Sequence, residues 1–183
     1  MENEAKICAR ELHEAADKYV AAVIKAAADA DNSTVPQGSA FIPTKANIVE
    51  KVEDGLVELY KNNVPVSEDL YGEFSPRVYS FLRQSLTELS TNNPELLKKG
   101  AVGRYNNVLV CIENLLPVNG TTRYNIIRSG KAVGFAGQVD KVQAIEKEAG
   151  FGDILKGLYV YGATVVRPEQ MYIMKETDST LSN

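Results

Sequence analysis

Apolar residues recur at three- and four-residue steps through the start of the chain. Cys8, Leu12, Ala15, Tyr19 and Val23 form one stripe, and Ala16, Val20, Ile24 and Ala27 form a second beside it. No Gly or Pro interrupts them, so the pattern predicts a helix over residues 4–30, on the order of 40 Å long at ~1.5 Å per residue. A rod of that length with a wide apolar face must lie across a sheet or a neighbouring subunit. Residues 31–43 are rich in Pro, Gly and Ser and read as a linker or crossover. A second helix is predicted over 47–61, with Val49, Val52, Leu56, Leu59 and Tyr60 inward and Asn47 with Glu50 as a capping box. A short strand over 70–74 follows. Ser75-Pro76 then opens a third helix, because Ser caps well and Pro suits the first turn. Val78, Tyr79, Leu82, Leu86 and Leu89 are its inner face, and Asn93-Pro94 opens a short fourth helix that ends before Gly100.

Beyond Gly100 the period changes to that of strands. Residues 105–113 (YNNVLVCIE) read as one buried strand, and 116–122 (LPVNGTT) as a loop with an Asn-Gly turn. Residues 124–128 and 131–136 read as a hairpin across Ser129-Gly130, and 138–146 as a further strand. Residues 149–156 read as a loop or short helix, and 158–166 and 170–174 as two strands. Helices first and strands later indicate an α+β fold rather than a repeating βαβ sheet.

Composition narrows the function classes. Of 183 residues, 44% are apolar and 24% charged, which is an ordinary globular balance. Twenty basic against 24 acidic residues leave a net charge of −4, which argues against a dedicated nucleic-acid groove. Two cysteines cannot build a disulfide framework, and a single histidine leaves almost no material for a zinc site. No apolar run approaches the ~18 residues that span a bilayer.

Candidate chemistry is sparse. Gly130, Gly134 and Gly137 flank strand-like residues and open no helix, so they read as hairpin turns rather than a phosphate cradle. His13 falls mid-helix without a nucleophile or an orienting acid at a motif spacing. Cys8 and Cys111 sit among apolar residues and read as inert thiols. Glu50, Glu53, Asp54 and Glu58 on the second helix, and Glu146 with Glu148, read as solvated faces. Lys98-Lys99 and Arg123, Arg128 and Lys131 are too few for a nucleic-acid groove. The residues therefore predict no catalytic residue, no cofactor and no metal, in a domain that associates with itself.

The stretch GLYVYGATVVRPEQMYIM, residues 157–174, resembles the C-terminal end of tailed-bacteriophage major capsid proteins with the HK97 fold, in the P22-like coat group. Residues 132–138 followed by Val142 and Glu146 look like the preceding strand pair. KGAVGRYNNVLVCIENLLP, residues 99–117, looks like the passage that writes a Gly, a strand and Asn-Leu-Pro. LYGEFSPRVYSFLR, residues 70–83, matches a strand, a Pro and a helix, and the first helix is similar to that fold's spine helix.

The resemblance implies a long spine helix against a β-sheet plus an axial α+β domain. Mapped onto this chain, the peripheral domain is 1–44 with 156–175, the axial domain is 45–155, and 176–183 is a flexible tail. The implied function is a structural, non-enzymatic capsid subunit. Copies assemble into hexamers and pentamers that enclose DNA, in the virion and, during assembly, the host cytoplasm. Partners are copies of itself, with scaffolding, portal and decoration proteins beside them, and neither a membrane nor a specific nucleic-acid sequence. The family places an N-terminal arm and an extended hairpin, the E-loop, before the spine helix. This chain begins at the spine helix, so the expectation is a chain lacking both, and lacking the cross-linking lysine carried on that hairpin. The Leu116, Pro117, Val118, Asn119, Gly120 and Thr121 loop is the expected tip near the ring axis. Glu146, Lys147, Glu148 and Asp153 are the expected peripheral contact, where paired charges fix register. Two other readings stay open: a small-molecule enzyme with an unfamiliar site, and a cellular compartment-forming protein on the same scaffold.

Overall fold

The computed structural model describes residues 2–30, 34–86, 92–98, 101–146 and 153–177. Its helices are α1 (Glu2–Ala30), α2 (Ile48–Lys61), α3 (Pro76–Ser85) and α4 (Pro94–Lys98). Its strands are β1 (Leu70–Phe74), β2 (Ala101–Tyr105), β3 (Val108–Ile112), β4 (Val118–Asn119), β5 (Thr122–Ser129), β6 (Val133–Glu146), β7 (Asp153–Val165) and β8 (Met171–Thr177). The α+β class is as the residue pattern indicates.

Six strands form one mixed sheet in the order β2-β3-β1-β5-β4, with β8 pairing β5 as well. β1 and β3 run parallel, with α3 on the path between them, and the other pairs are antiparallel. The free edge of β8 is covered by residues 36–41. The Gly38 and Phe41 amides donate to the carbonyls of Ile173 and Lys175, and the Ile173 and Thr177 amides donate back to Pro36 and Phe41. The predicted linker is thus an ordered strap.

Each face of this sheet carries a core. On one face α2 and α3 bury Ile48, Val52, Leu56, Leu59, Val78 and Leu82 against Leu70, Phe74, Val108, Val110 and Ile127. Gly72 is the glycine this packing demands. A Cβ there would stand 2.7 Å from the Phe74 ring and 2.8 Å from Val108, so the ring of one strand residue folds back over its neighbour two positions away. On the other face the end of α1 buries Ile24 and Ala28 with Val35, Leu116, Tyr124, Ile126, Met171 and Ile173.

Local signals explain most helix ends. Ser75 caps α3 as predicted, its Oγ accepting from the Val78 amide at 3.1 Å. The expected Asn47–Glu50 box is not formed, because Asn47, the N-cap of α2, makes no side-chain cap bond and instead closes the turn before the helix with Thr44. The Thr44 amide donates to Asn47 Oδ1 at 2.9 Å, and the Asn47 amide donates to Thr44 Oγ1 at 3.3 Å. α3 ends at Ser85, with Leu86 extended; Leu89 lies outside the described residues.

Four expectations are corrected. The span 105–113 is not one strand: Asn106 takes φ 50° and turns β2 into β3. Residues 124–128 and 131–136 are not a hairpin. β5 pairs β1, β4 and β8, whereas β6 pairs only β7 among the described residues, so the chain leaves the sheet at Gly130. In α1 the buried face is narrower than the two stripes together: Ala16 and Ile24 of the second are buried, with Ala28 beyond it, whereas Leu12 and Tyr19 of the first are 47% and 42% exposed. The tail does not begin at 176. β8 runs to Thr177, and Glu176 is fully buried, its Oε2 accepting from the Ser75 hydroxyl at 2.6 Å and from Asn125 Nδ2 at 3.2 Å.

That carboxylate ties the last strand to the cap of α3. Glu176→Ala leaves two buried donors short of an acceptor and is expected to cost about 1–3 kcal/mol, read by equilibrium denaturation, with Glu176→Gln costing less.

The expected division of the chain placed 156–175 with 1–44 and kept 133–155 with the axial part. The pairings run across that cut. β6 pairs β7 along its whole length, and β8 belongs to the sheet of β1 and β5.

Candidate self-association surface

β6 and β7, 14 and 13 residues long, form a two-stranded ribbon outside the main sheet. The alternation in LYVYGATVV sets its two faces. Tyr159, Tyr161, Ala163 and Val165 turn one way, half-buried, and Leu158, Val160, Gly162 and Thr164 turn the other, exposed.

The first face lies along α1. Tyr19 meets Tyr161 edge-on at 5.4 Å between ring centroids, and Phe135 and Tyr159 flank Tyr161 at 6.5 and 5.4 Å. Gly137 sits beneath the Tyr159 ring, where a Cβ would meet the hydroxyl. Helix and ribbon advance together: Tyr19 is at Tyr161, and Ile24 and Ala28 join the cluster that Val133 and Val165 pack against.

The second face has no cover among the described residues. Leu158, Val160 and Val166 are 50%, 54% and 58% exposed on alternate positions of one strand or just beyond it. Gln138 and Ala136 stand opposite Val160 and Gly162 and are exposed too. Both outer edges of the ribbon also lack a paired strand among the described residues. Long open edges are templates for pairing with another chain, so this face and these edges are the candidate contact surface.

The expected contact residues fall in two places. Val118 and Asn119 pair with Arg123 and Thr122 around Gly120, whose φ is +58°, so the Asn-Gly turn is real. Val118, Asn119 and Gly120 are exposed, and Pro117 and Thr121 are half-buried, but Leu116 is only 4% exposed and is a core residue, not a tip. Gly120 has open space around it, so Gly120→Ala meets only backbone strain, expected at about 1–2 kcal/mol by denaturation. Glu146 and Asp153 are Cα partners at the far end of the ribbon, whereas Lys147 and Glu148 lie outside the described residues. The turn at 119–122 is at the end of β5 opposite to the ribbon's root at 129–133, so the structure does not bring the two sets together.

The side chains weighed for chemistry have ordinary partners. His13 is exposed on α1. Cys111 lies half-buried in β3, where burial, with Glu73 near, pushes its thiol up to about 11, so it stays protonated at neutral pH. Asp54 and Glu58 pair along α2 with Lys51 and Lys61 at 2.9 and 2.6 Å, and Glu53 accepts from the Tyr105 hydroxyl. Burial first, and that bond second, push Tyr105 up to about 12. A groove of about 470 Å³ beside Tyr172 is lined by the same Asp54, Glu58 and Lys61. Among the described residues no three His, Cys, Asp or Glu side chains gather as a metal site, and no helix is long and apolar enough to cross a membrane.

Solved structures share this architecture. A chain from Mycobacterium phage Che8 is 22% identical, with TM-score 0.70, over 95% of this chain and 62% of its own. A chain of the capsid of cyanophage P-SCSP1u is 18% identical, with TM-score 0.72, over 97% of this chain and 66% of its own. A chain from the mature capsid of bacteriophage PhiM1 is 18% identical, with TM-score 0.61, over 94% of this chain and 64% of its own. The fold is that of phage capsid subunits. In that HK97-like fold the long α1 lies against the ribbon, as the resemblance implies for a spine helix. The chain spans a little under two thirds of the length of these phage chains. No family model matches it, and no curated protein does.

The sequence reading missed the ribbon as a separate unit. Its alternation was visible from 158 onward, but the length of β6 and the lack of further partners depend on pairing, which no local pattern carries.

Proposed function

We propose that this chain is a structural subunit of a phage capsid, assembling with copies of itself into hexamers and pentamers that enclose DNA. The observation that carries this reading is the likeness of nearly the whole chain to chains of the P-SCSP1u and PhiM1 capsids, at TM-scores of 0.72 and 0.61. The uncovered ribbon supports it, because an apolar face and two open edges suit contact between copies. In this reading the protein performs no reaction. Its place is the virion, after assembly in the host cytoplasm, and scaffolding, portal and decoration proteins are further partners. The net charge of −4 suits a wall that encloses DNA without gripping it.

The division into lobes follows the pairings. α1 with β6 and β7 makes the peripheral lobe, and the main sheet with α2 and α3 makes the axial lobe. The turn at Val118, Asn119, Gly120 and Thr121 is the proposed contact near the ring axis. Glu146 and Asp153, with Lys147 and Glu148 between them in sequence, are the proposed peripheral contact. Individually weak contacts let errors dissolve, and their number makes the closed shell stable.

Light scattering and negative-stain microscopy test the reading, on this chain and on a longer chain that carries upstream residues. Rings or shells from either are the expected result. Strict monomers of both under all assembly conditions would overturn it.

A further inference from the structure

Two short connectors join the ribbon to the main sheet, and they meet at one carbonyl. β5 ends at Ser129 and β6 begins at Val133, while β7 ends at Val165 and β8 begins at Met171. The Val166 and Arg167 amides both donate to the Ala132 carbonyl, at 2.9 and 3.1 Å, so the outgoing and returning chains cross at a single point. At so narrow a junction the direction of the ribbon is set by α1 packed across it and by whatever braces the connectors.

The outgoing connector is braced by one side chain from a loop outside both sheets. Glu68, between α2 and β1, accepts at Oε1 from the Ser129 hydroxyl at 2.5 Å and at Oε2 from the Lys131 ammonium at 3.0 Å. Ser129 Oγ also accepts from the Lys131 amide at 3.1 Å, closing a small turn. The mount of Glu68 is itself fixed. Its amide donates to the Pro65 carbonyl, and its carbonyl accepts from the side chain of buried Asn107, both at 3.0 Å. The return connector has a neutral tether, from Asn62 Nδ2 to the Glu169 carbonyl at 3.0 Å.

We propose that Glu68 is a latch that sets the angle of the ribbon to the sheet, engaged while its carboxylate is ionised and released when it is neutralised. The proposal stands on the geometry of the single chain and does not rest on the capsid reading. An ionised carboxylate accepts on both oxygens, and bonds to a charged group are the stronger kind. The groups that face it are Ser129 at the end of β5, Lys131 from the outgoing connector and Arg167 from the return. On its own loop Asp69 is engaged by Arg104 of β2 at 3.0 Å. α1 spans the same junction, through Tyr19 on the ribbon and Ile24 and Ala28 on the sheet, so release changes the angle and its spread without detaching the ribbon.

The Ser129 hydroxyl first, then Lys131, hold the Glu68 carboxyl below its ordinary value of 4.5, against an opposing effect of burial. For a carboxyl lowered in the folded state, the tie is fully present above the ordinary value. It is lost as pH falls through the lower folded one. The release window therefore lies below 4.5, and nothing changes near neutrality.

The test places spin labels on exposed positions, by Lys156→Cys in the ribbon and Glu50→Cys in α2, with Cys8→Ala and Cys111→Ala as background. At neutral pH the parent is expected to give one narrow distance, and Glu68→Gln a shifted and broader distribution. On acidification the parent should move toward the Glu68→Gln distribution, while Glu68→Gln itself stays constant. Amides at the start of β6 should exchange about tenfold faster in Glu68→Gln, as for the loss of a charge-assisted tie, with protection in α2 and β1 unchanged. If Glu68→Gln keeps the parent's distribution at neutral pH, or follows the parent's acid response, the latch is refuted. Should that variant not fold, Lys131→Met reads the same tie from an exposed partner, and an unbroadened distribution there overturns the proposal equally.

Discussion

Phe74→Ala is expected to lower the stability of the folded chain by about 3–5 kcal/mol, in the range of buried aromatic truncations. Phe74 is fully buried on β1, which pairs β3 on one side and β5 on the other. Its ring fills the space above Gly72, which has no side chain to relax into the void, and it borders the inner faces of α2 and α3. The neighbours that could close the hole are held by strand pairing, so collapse is limited and the cavity persists. Equilibrium denaturation checks this, and in a thermal scan the loss corresponds to a fall of about 8–15 °C. A cost under about 1 kcal/mol would mean that this face of the sheet is not the closed core described.

The second large effect separates folding from association. Leu158→Asp with Val160→Asp is expected to abolish particle formation and to leave the stability of the single chain within about 0.5 kcal/mol. Both side chains are half exposed on the outer face of β7, so a charge there meets water in the free chain. Once a neighbour covers the ribbon, the same carboxylates are desolvated without partners, and that penalty recurs at every copy in the shell. Denaturation curves and particle yield are the paired measurements. Normal yield from the double variant would show that the outer face of the ribbon stays open in the assembly.

Elements defined by local chemistry were legible in the sequence. Ser75-Pro76 marks the start of α3 because cap and first turn are set by adjacent residues, and α2 follows from its apolar spacing. The turn at Asn106 was not read, although an Asn-Asn pair between two apolar runs is a turn signal; the β-branched run beyond it outweighed the signal. The departure of the chain at Gly130 was illegible for a different reason. Ser-Gly between two strand-like runs looks like a hairpin. Only the returning residues Val166 and Arg167, which take up the Ala132 carbonyl, reveal that the second run belongs elsewhere. Glu176 was read as tail because charge near a terminus usually means solvent, and its acceptors' partners, Ser75 and Asn125, lie far away in sequence. Of the contact residues, the Asn119-Gly120 turn was readable from its dipeptide, whereas the burial of Leu116 depends on α1 and β5 arriving beside it.

The most direct test of the central claim is cryo-electron microscopy of the particles formed by the longest chain that carries this sequence. The account predicts a closed shell whose repeating unit accepts this fold, with the outer face of β7 covered by a neighbouring copy and the turn at 118–121 in contact with its symmetry mates. A dispersed monomer, or an assembly whose map accepts the fold only with the ribbon facing solvent, would contradict it.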